Sequence, residues 1–342
     1  MGRSKGGAVC VALVLAGAAA CGGNDGSRES TQSLRLGFFP NITHATAIVG
    51  LEKGILQRHL GDVQLRTQSF NAGGQAIEAI FAEGLDAAFI GPSPAINAFV
   101  KSNGEAIRIV AGATSGGAFF VVQPEIDSAA DLRGKAAASP QAGNTQDVAL
   151  RSWLGRQGLD ARGGKPEVEI RPQENAQTLE TFRSKAIAGA WVPEPWASRL
   201  VVEAGGKVLV DERDLWPAGQ YVTTQLIVRT EFLEEHPDIV EALVAGHAEA
   251  NDFVNANLEE AKSIAAAAIA RITGRTLPQE VVDRAWGNLT FTLDPIAPSL
   301  RRNAEDAAEL GFIESSDLEG IYDVTHLNNV LKSAGKPDIK VS

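Results

Sequence analysis

The chain has 342 residues, with 31 Lys+Arg against 42 Asp+Glu and a formal net charge of −11. A negative field of that size disfavours nucleic acid and anionic lipid surfaces as partners, because it opposes their phosphates. It leaves room for a small anion, since one pocket can oppose the global field.

The first element in chain order is an export signal. Arg3 and Lys5 precede an apolar run, Ala8 to Ala20, that ends in small residues before Cys21; this is the order of a secretory signal peptide, predicted over residues 1–20. The run is too short to span a bilayer as a mature helix. Cys21 follows Ala18-Ala19-Ala20 and precedes Gly22-Gly23-Asn24-Asp25-Gly26-Ser27, the layout of a bacterial lipoprotein cut before the cysteine. Two acyl chains on Cys21 would hold the protein on the outer face of the cell membrane. The same alanines suit ordinary secretory cleavage, which gives a free periplasmic or secreted protein as the alternative. Removing residues 1–20 leaves 322 residues, enough for two domains with their own cores. It also removes Arg3, Lys5 and Cys10, so the mature charge becomes −13 and Cys21 is the remaining cysteine. No disulfide is then expected. Residues 21–33 read as a flexible linker.

From Leu34 onwards short β-type runs alternate with helical patterns. Leu34–Phe39 is a strand, His44–Lys53 a helix closed by Gly54, Val63–Phe70 a strand and Gln75–Glu83 a helix. Asp86–Ile90 reads as a buried strand, Ala95–Ser102 as a helix and Ala106–Ala113 as a strand broken at Thr114-Ser115-Gly116-Gly117. The alternation restarts with strands at Ala118–Val122 and Gly134–Ser139, a helix at Gln146–Arg156, a strand at Glu167–Arg171 and a helix at Thr178–Lys185. Strand Ala188–Val192, a helix over 194–203, strand Lys207–Asp211 and the long run Tyr221–Arg229 follow. From Glu231 the pattern is almost wholly helical, broken at Gly274, Gly287, Pro295 and Gly311. Repeating strand, loop and helix predict mostly parallel sheets covered on both faces. Tyr221–Arg229 can carry the chain back to the first unit. The expected domains are therefore 34–117 plus 222–342 as one lobe and 118–221 as the other, joined by two crossings that act as hinges.

Ligands of parallel α/β sheets bind beyond the carboxyl ends of strands, where helix N-termini offer N–H groups and a favourable dipole to anions. Four turns fit that position: Pro40-Asn41-Ile42-Thr43-His44, Gly91-Pro92-Ser93-Pro94, Thr114-Ser115-Gly116-Gly117, and Ser139 to Thr145. Each mixes small residues with hydroxyl or amide donors, and each also serves as turn chemistry and helix capping. The candidate ligand residues are Asn41, Thr43, His44, Gly91, Ser93, Ser115 and Gly116 on one side, with Gln141, Asn144 and Thr145 on the other. Trp191-Val192-Pro193-Glu194-Pro195-Trp196 places two tryptophans around a carboxylate at a strand end. It adds Glu194 as acceptor or helix-capping acid and Trp191 or Trp196 as an apolar wall. Packed aromatics around a proline-stiffened turn are the competing reading. Trp216, Gln220 and Tyr221 are further candidates for the same cleft.

The motifs of hydrolases, phosphate loops and dinucleotide folds (G-x-S-x-G, G-K-[ST], G-x-G-x-x-G) are absent from residues 21–342, the match Gly2-Arg3-Ser4-Lys5-Gly6 lying within the predicted signal. His44, His59, His236, His247 and His326 are scattered without metal-ligand spacing, so neither a catalytic centre nor a metal or other cofactor is expected.

Leu36-Gly37-Phe38-Phe39-Pro40-Asn41-Ile42-Thr43-His44, followed by Gly50-Leu51-Glu52-Lys53-Gly54, resembles the start of the nitrate/sulfonate/taurine-type substrate-binding proteins of ABC importers. Phe70-Asn71-Ala72-Gly73-Gly74, Asp86-Ala87-Ala88-Phe89-Ile90-Gly91, Val192-Pro193-Glu194-Pro195-Trp196, and His236-Pro237 opening a long helix to Asn255-Ala256-Asn257 extend the resemblance in the family's order. It implies an α/β, two-lobed periplasmic-binding-protein-like fold of type II: two doubly wound mixed sheets joined by two hinge crossings. It also implies a monomer that captures a small anionic ligand between the lobes and delivers it to the transmembrane permease, which works with a cytoplasmic ATPase. Among the family's ligands an aliphatic sulfonate or taurine is expected, with nitrate, bicarbonate or a thiamine-precursor pyrimidine as alternatives. An extracellular enzyme acting on a small anion is the competing class. The related pyrimidine-synthase enzymes carry a cysteine-rich motif that this chain lacks.

Overall fold

The computed structural model describes residue 2, residues 32–159 and residues 166–341. Residue 2 apart, the predicted signal 1–20, the lipidation site Cys21 and the linker up to residue 31 lie outside the described residues.

The described strands form two mixed sheets. The first has six strands in the order β11-β4-β10-β3-β1-β2. They are β1 (Ser33–Phe38), β2 (Gln64–Ser69), β3 (Ala87–Ile90), β4 (Ile107–Gly116), β10 (Val222–Arg229) and β11 (Leu289–Phe291). β1 pairs parallel with β2 and β3, while β10 runs antiparallel to β3 and β4. The second sheet has five strands in the order β7-β6-β8-β5-β9. They are β5 (Ala118–Val122), β6 (Ala136–Ser139), β7 (Glu169–Pro172), β8 (Gly189–Pro193) and β9 (Lys207–Asp211). β6 pairs parallel with β7 and β8, and β5 runs antiparallel to β8 and β9. In the second sheet β5 runs antiparallel to its neighbours, and in the first both β10 and β11 run antiparallel to β4; β5 and β10 each enter directly after the chain crosses from the other sheet. The first crossing is Gly117, whose φ of +76° favours glycine and whose added Cβ would meet Leu289 Cδ2 at 2.1 Å.

β3, β5, β6 and β8 are buried along their whole lengths, as strands covered on both faces require. Apolar clusters flank both sheets: those around Leu36, Phe89 and Val244 and around Ile90, Ile96 and Leu300 pack on the first, and those around Phe120 and Trp191 and around Val121 and Phe182 on the second. Helices α1 (Ala45–Glu52), α2 (Ile55–Leu60), α3 (Gly73–Phe81) and α4 (Pro92–Lys101) connect the first strands. α5 (Thr145–Arg156), α6 (Asn175–Arg183) and α7 (Trp196–Val202) belong to the second sheet. After β10 come α8 (Thr230–Glu235), α9 (Pro237–Ala256), α10 (Leu258–Thr273), α11 (Gln279–Gly287), α12 (Ala297–Glu309) and α13 (Thr325–Ser333). α9 packs on α1, α2 and α13, and α12 packs on α4 and α5.

Several elements depart from the sequence expectation. Gly54, left-handed at φ 65°, does not end the helical segment but turns it into α2. α4 starts at Pro92 rather than Ala95, because proline's fixed φ suits the first helical turn. β4 continues through Thr114 to Gly116, since pairing with β10 and β11 holds residues whose composition reads as a loop. β11 interrupts the expected all-helical tail; three residues give too short a pattern to read. Among the described residues, no helix is long and apolar enough to cross a membrane.

Candidate functional site

The loops after β1, β2, β3, β6 and β7 converge on an inner cavity of about 50 Å3 between the sheets. Its wall includes Asn41, Thr43 and His44 before α1, Asn71 to Gly73 at the start of α3, and Gly91 before α4. From the other sheet come Asn144 and Thr145 at the start of α5, Asn175 at the start of α6, and Pro193 at the end of β8. Thr223 and Thr224 of β10 complete it. The helix starts aim partial positive charge at this point. Every lining side chain is neutral, so the cavity offers a guest amide, hydroxyl and backbone N–H donors and no charged group.

His44 belongs to that neutral set. It is 3% exposed, and burial drives its pKa down to about 3. Its Nδ1 accepts from the Phe39 N–H at 3.4 Å, and its ring lies 4.8 Å from that of Phe39. This arrangement puts the single ring hydrogen on Nε2. Thr145 Oγ1 accepts from the Ser93 N–H at 3.3 Å across the sheets, which leaves its own hydrogen for a ligand. The contact is close because Gly91 lacks a side chain: an added Cβ would meet Thr145 Oγ1 at 2.8 Å. Asn175 Oδ1 and Thr224 Oγ1 are buried at the wall without a hydrogen-bond partner. Buried polar atoms usually find protein or solvent partners, so these two are open to a partner in the cavity.

A larger outer chamber of about 390 Å3 adjoins the inner cavity and shares Asn41, Asn71 and Asn175 with it. Phe70, Trp196, Ile269, Ile272 and Leu277 give it apolar walls, with Glu174, Arg199 and Arg275 among its charged residues. The Trp196 indole N–H donates to Asn41 Oδ1 at 3.0 Å. Arg199 lies 4.7 Å above the Trp196 ring and donates to Glu203 at 2.6 Å, so its charge is already met.

The predicted residues divide by location. Asn41, Thr43, His44, Gly91, Asn144 and Thr145 line the inner cavity. Trp196 lines the outer chamber. Ser93 is buried beside the inner cavity with an unpartnered hydroxyl. Ser115 and Gly116 line a separate recess of about 300 Å3 with Arg213, Gln220 and Asn288. Gln141 accepts from the Gly74 N–H at 3.3 Å and lines a recess of about 360 Å3 with Ile77 and Lys101. Glu194 is fully buried and lines none of these four recesses. It accepts from the Ser198 N–H and hydroxyl at 3.0 and 2.9 Å and from Asn288 at 2.7 Å, capping α7 and tying it to the residue before β11. Burial raises its pKa against those hydrogen bonds.

Trp191 is not at the cleft. It is fully buried, stacked on Phe120 at 5.6 Å, and donates to Glu212 at 2.7 Å. Trp216 stacks on Tyr221 at 5.6 Å, away from the inner cavity. Asn71, Asn175, Thr223 and Thr224 escaped the sequence reading. The strand-end rule would have found the two asparagines had it been applied to β2 and β7, whereas the threonines lie within a strand. Among the described residues no group of three or more His, Cys, Asp or Glu could hold a metal ion.

Residues 27–270 match the NMT1-like family. A binding protein of Brucella abortus (strain 2308) is 28% identical over 236 residues, covering 68% of this chain and 70% of that protein. The taurine-binding periplasmic protein of Escherichia coli (strain K12) is 26% identical over 56% of this chain and 57% of its own length. In structure, the periplasmic nitrate-binding protein NrtA from Synechocystis PCC 6803 superposes with a TM-score of 0.77 at 16% identity, covering 90% of each chain. The alkanesulfonate-binding protein SsuA from Xanthomonas axonopodis pv. citri, bound to MOPS, gives 0.70 at 17% identity, covering 84% of this chain and 96% of that one. Identities this low establish the shared two-lobed fold of periplasmic binding proteins and not a ligand.

Proposed function

The chain belongs to the NMT1-like family, and from that premise we propose that it is the extracytoplasmic substrate-binding protein of an ABC importer, capturing a small organic anion between two lobes. The lobes are residues 34–117 plus 222–342 and residues 118–221, hinged at Gly116–Gly117 and Gln220–Tyr221. The observation that carries the reading is the inner cavity: about 50 Å3, walled by neutral donors and helix starts from both sheets. The cavity is the smaller of the two spaces and its neutral donors suit an oxyanion head. The outer chamber, at about 390 Å3, has the size of an organic-ligand pocket, and Trp196 gives it an apolar wall. An aliphatic sulfonate or a taurine-like molecule fits this division, with its head inside and its carbon chain outside. Because the ligand touches both lobes, it favours the closed state through its differential affinity. Lipidated Cys21 anchors the monomer on the outer face of the membrane, where it hands the ligand to the permease and its ATPase. No catalytic step is assigned to it.

The small inner volume also favours a second reading, a bare inorganic anion such as nitrate or bicarbonate, with the outer chamber left to water. A thermal-shift screen separates the two. At a hundredfold excess over its Kd a true ligand stabilises by about 3 kcal/mol. We expect the largest shift from alkyl sulfonates. A shift from nitrate or bicarbonate alone would assign an inorganic ligand, and no shift from any of these anions would overturn the anion-binding reading.

A further inference from the structure

Four buried polar side chains behind the inner cavity end in atoms without a hydrogen-bond partner: Thr46 Oγ1, Thr224 Oγ1, His247 Nδ1 and Asn251 Nδ2. Their residues are between 0% and 4% exposed. Pairing and hydrogen bonds place them in one neighbourhood. Thr224 stands opposite Thr114 in the ladder of β10 and β4. Thr114 donates to the Thr43 carbonyl at 2.7 Å, just before α1, which carries Thr46. His247 Nε2 lies 2.7 Å from the carbonyl of Gly112, two residues earlier on β4. Asn251 follows one turn later on α9, and Asn255 after it donates to the carbonyl of Phe291, which pairs with Thr114. α9 therefore runs along β4 with His247 and Asn251 near the level of Thr114, and α1 packs on α9.

The unpaired atoms are complementary in kind. Burial keeps the His247 ring neutral by pushing its pKa down to about 4. Its hydrogen sits on Nε2, facing the Gly112 carbonyl, so Nδ1 is a bare acceptor. Asn251 already accepts from Asn255 at 3.1 Å through Oδ1, which leaves Nδ2 as a donor. The two threonine hydroxyls can act either way. Two acceptors and two donors are what one tetrahedral water requires, and buried waters typically hold two to four such partners.

We propose that Thr46, Thr224, His247 and Asn251 bind an ordered internal water that fixes the Thr224 hydroxyl hydrogen toward the anion. The water accepts from Asn251 Nδ2 and the Thr46 hydroxyl, and it donates to His247 Nδ1 and Thr224 Oγ1. With its oxygen already accepting, Thr224 turns its own hydrogen into the cavity it lines. Hydrogen bonds in such a chain polarise one another, which matters in a cavity without a cationic side chain. Thr46, His247 and Asn251 are then positioning residues. The inference rests on the anion-binding reading of the cavity.

The test has two arms. A high-resolution crystal structure of the ligand-free protein should show a water at hydrogen-bond distance, about 2.7–3.2 Å, from His247 Nδ1 and Thr224 Oγ1. A dry neighbourhood, or direct side-chain bonds filling it, overturns the proposal whether or not any anion binds. Calorimetry with ethanesulfonate and with nitrate is the second arm. Thr224→Val should lower affinity about tenfold and Thr46→Val roughly threefold, with the double variant no weaker than Thr224→Val alone. Asn251→Leu should act like Thr46→Val and supplies the same cycle if Thr46→Val fails to fold. Additive losses, or full affinity in Thr46→Val and Asn251→Leu, overturn the positioning role even with the water in place. If neither probe binds the wild type, the functional reading and the positioning role fall together, and the water site is judged on the density alone.

Discussion

The indole N–H of Trp196 donates to Asn41 Oδ1 at 3.0 Å, joining the start of α7 in the second sheet to the turn after β1 in the first. Both residues line the outer chamber, and Asn41 also lines the inner cavity. In the proposed binding mode this one hydrogen bond ties lobe closure to the boundary between head and tail. Trp196→Ala removes the bond and the apolar wall together, and should lower affinity for an alkyl sulfonate by about tenfold or more. Nitrate, which does not reach the outer chamber, should lose only the share due to closure, about threefold. Calorimetry on the two anions measures the ratio. Equal losses would remove the tail-binding role from Trp196.

Gly91 leaves room for Thr145 between the two sheets, and in the proposed closed state it sets how closely the lobes approach. Its φ of −74° suits any residue, so the constraint is space and not backbone: a Cβ would stand 2.8 Å from Thr145 Oγ1. Gly91→Val should hold the cleft open at the head-group site. Affinity should fall at least about tenfold, while the melting temperature of the ligand-free protein stays near that of wild type, since no core contact is lost. Small-angle scattering should show that ligand no longer compacts the variant. Compaction with full affinity would show that the lobes do not meet at Gly91.

The division into two α/β sheets was legible in the sequence because β3, β5 and β8 are continuous apolar runs between clear turns, and because Tyr221–Arg229 reads as a long strand-like run that can return the chain to the first sheet. The site was legible only in part. Asn41, Thr43, His44, Gly91, Asn144 and Thr145 sit where strand ends meet helix starts, so position alone points to them. Asn175 follows an edge strand, β7, whose mostly exposed residues give little periodic signal. Thr223 and Thr224 reach the cavity from within β10, where no turn announces them. Glu194 carries two sequence readings, ligand acceptor and helix-capping acid, and its hydrogen bonds from Ser198 at the start of α7 and from Asn288 match the second. Sequence gives the residue types at a strand end, but not which of them the backbone has already claimed.

Thr145 and Asn175 line the inner cavity from the second sheet, and in the proposed binding mode they contact the head group. The Thr145 hydroxyl has its acceptor side filled by the Ser93 N–H, and Asn175 Oδ1 has no protein partner, so its amide is free to orient toward a ligand. Thr145→Val and Asn175→Ala should each lower affinity roughly ten- to thirtyfold. Both should affect nitrate and sulfonates alike, because both act at the inner cavity. The contrast with Trp196→Ala, which should depend on the tail, makes the three variants a map of which atoms of the ligand lie where. A tail-dependent loss in Asn175→Ala would move the head group outward.

Glu212 carries the pH dependence that is easiest to isolate. Its carboxylate is buried and accepts from the indoles of Trp191 at 2.7 Å and Trp216 at 3.4 Å. Desolvation raises its pKa from 4.5 to about 7, against those two hydrogen bonds. The folded form therefore binds the proton more tightly than the unfolded chain. This contribution to stability is fully present below the unfolded value of 4.5, falls as pH rises toward about 7, and is gone above it. His44 and His247, with pKa values lowered to about 3 and about 4, act in the opposite sense and lose stability as pH falls below 6.5. Their contribution cancels when wild type and Glu212→Gln are compared at each pH, since both chains keep those histidines. Glu212→Gln has no charge to bury, so relative to wild type it should gain stability as pH rises from about 4.5 to about 7, by an amount on the order of 3 kcal/mol, and then level off. Urea denaturation of both chains between pH 4.5 and 8.5 gives that difference directly. A difference independent of pH would mean that Glu212 stays charged in the folded protein, with the two indole N–H groups sufficient to hold the carboxylate.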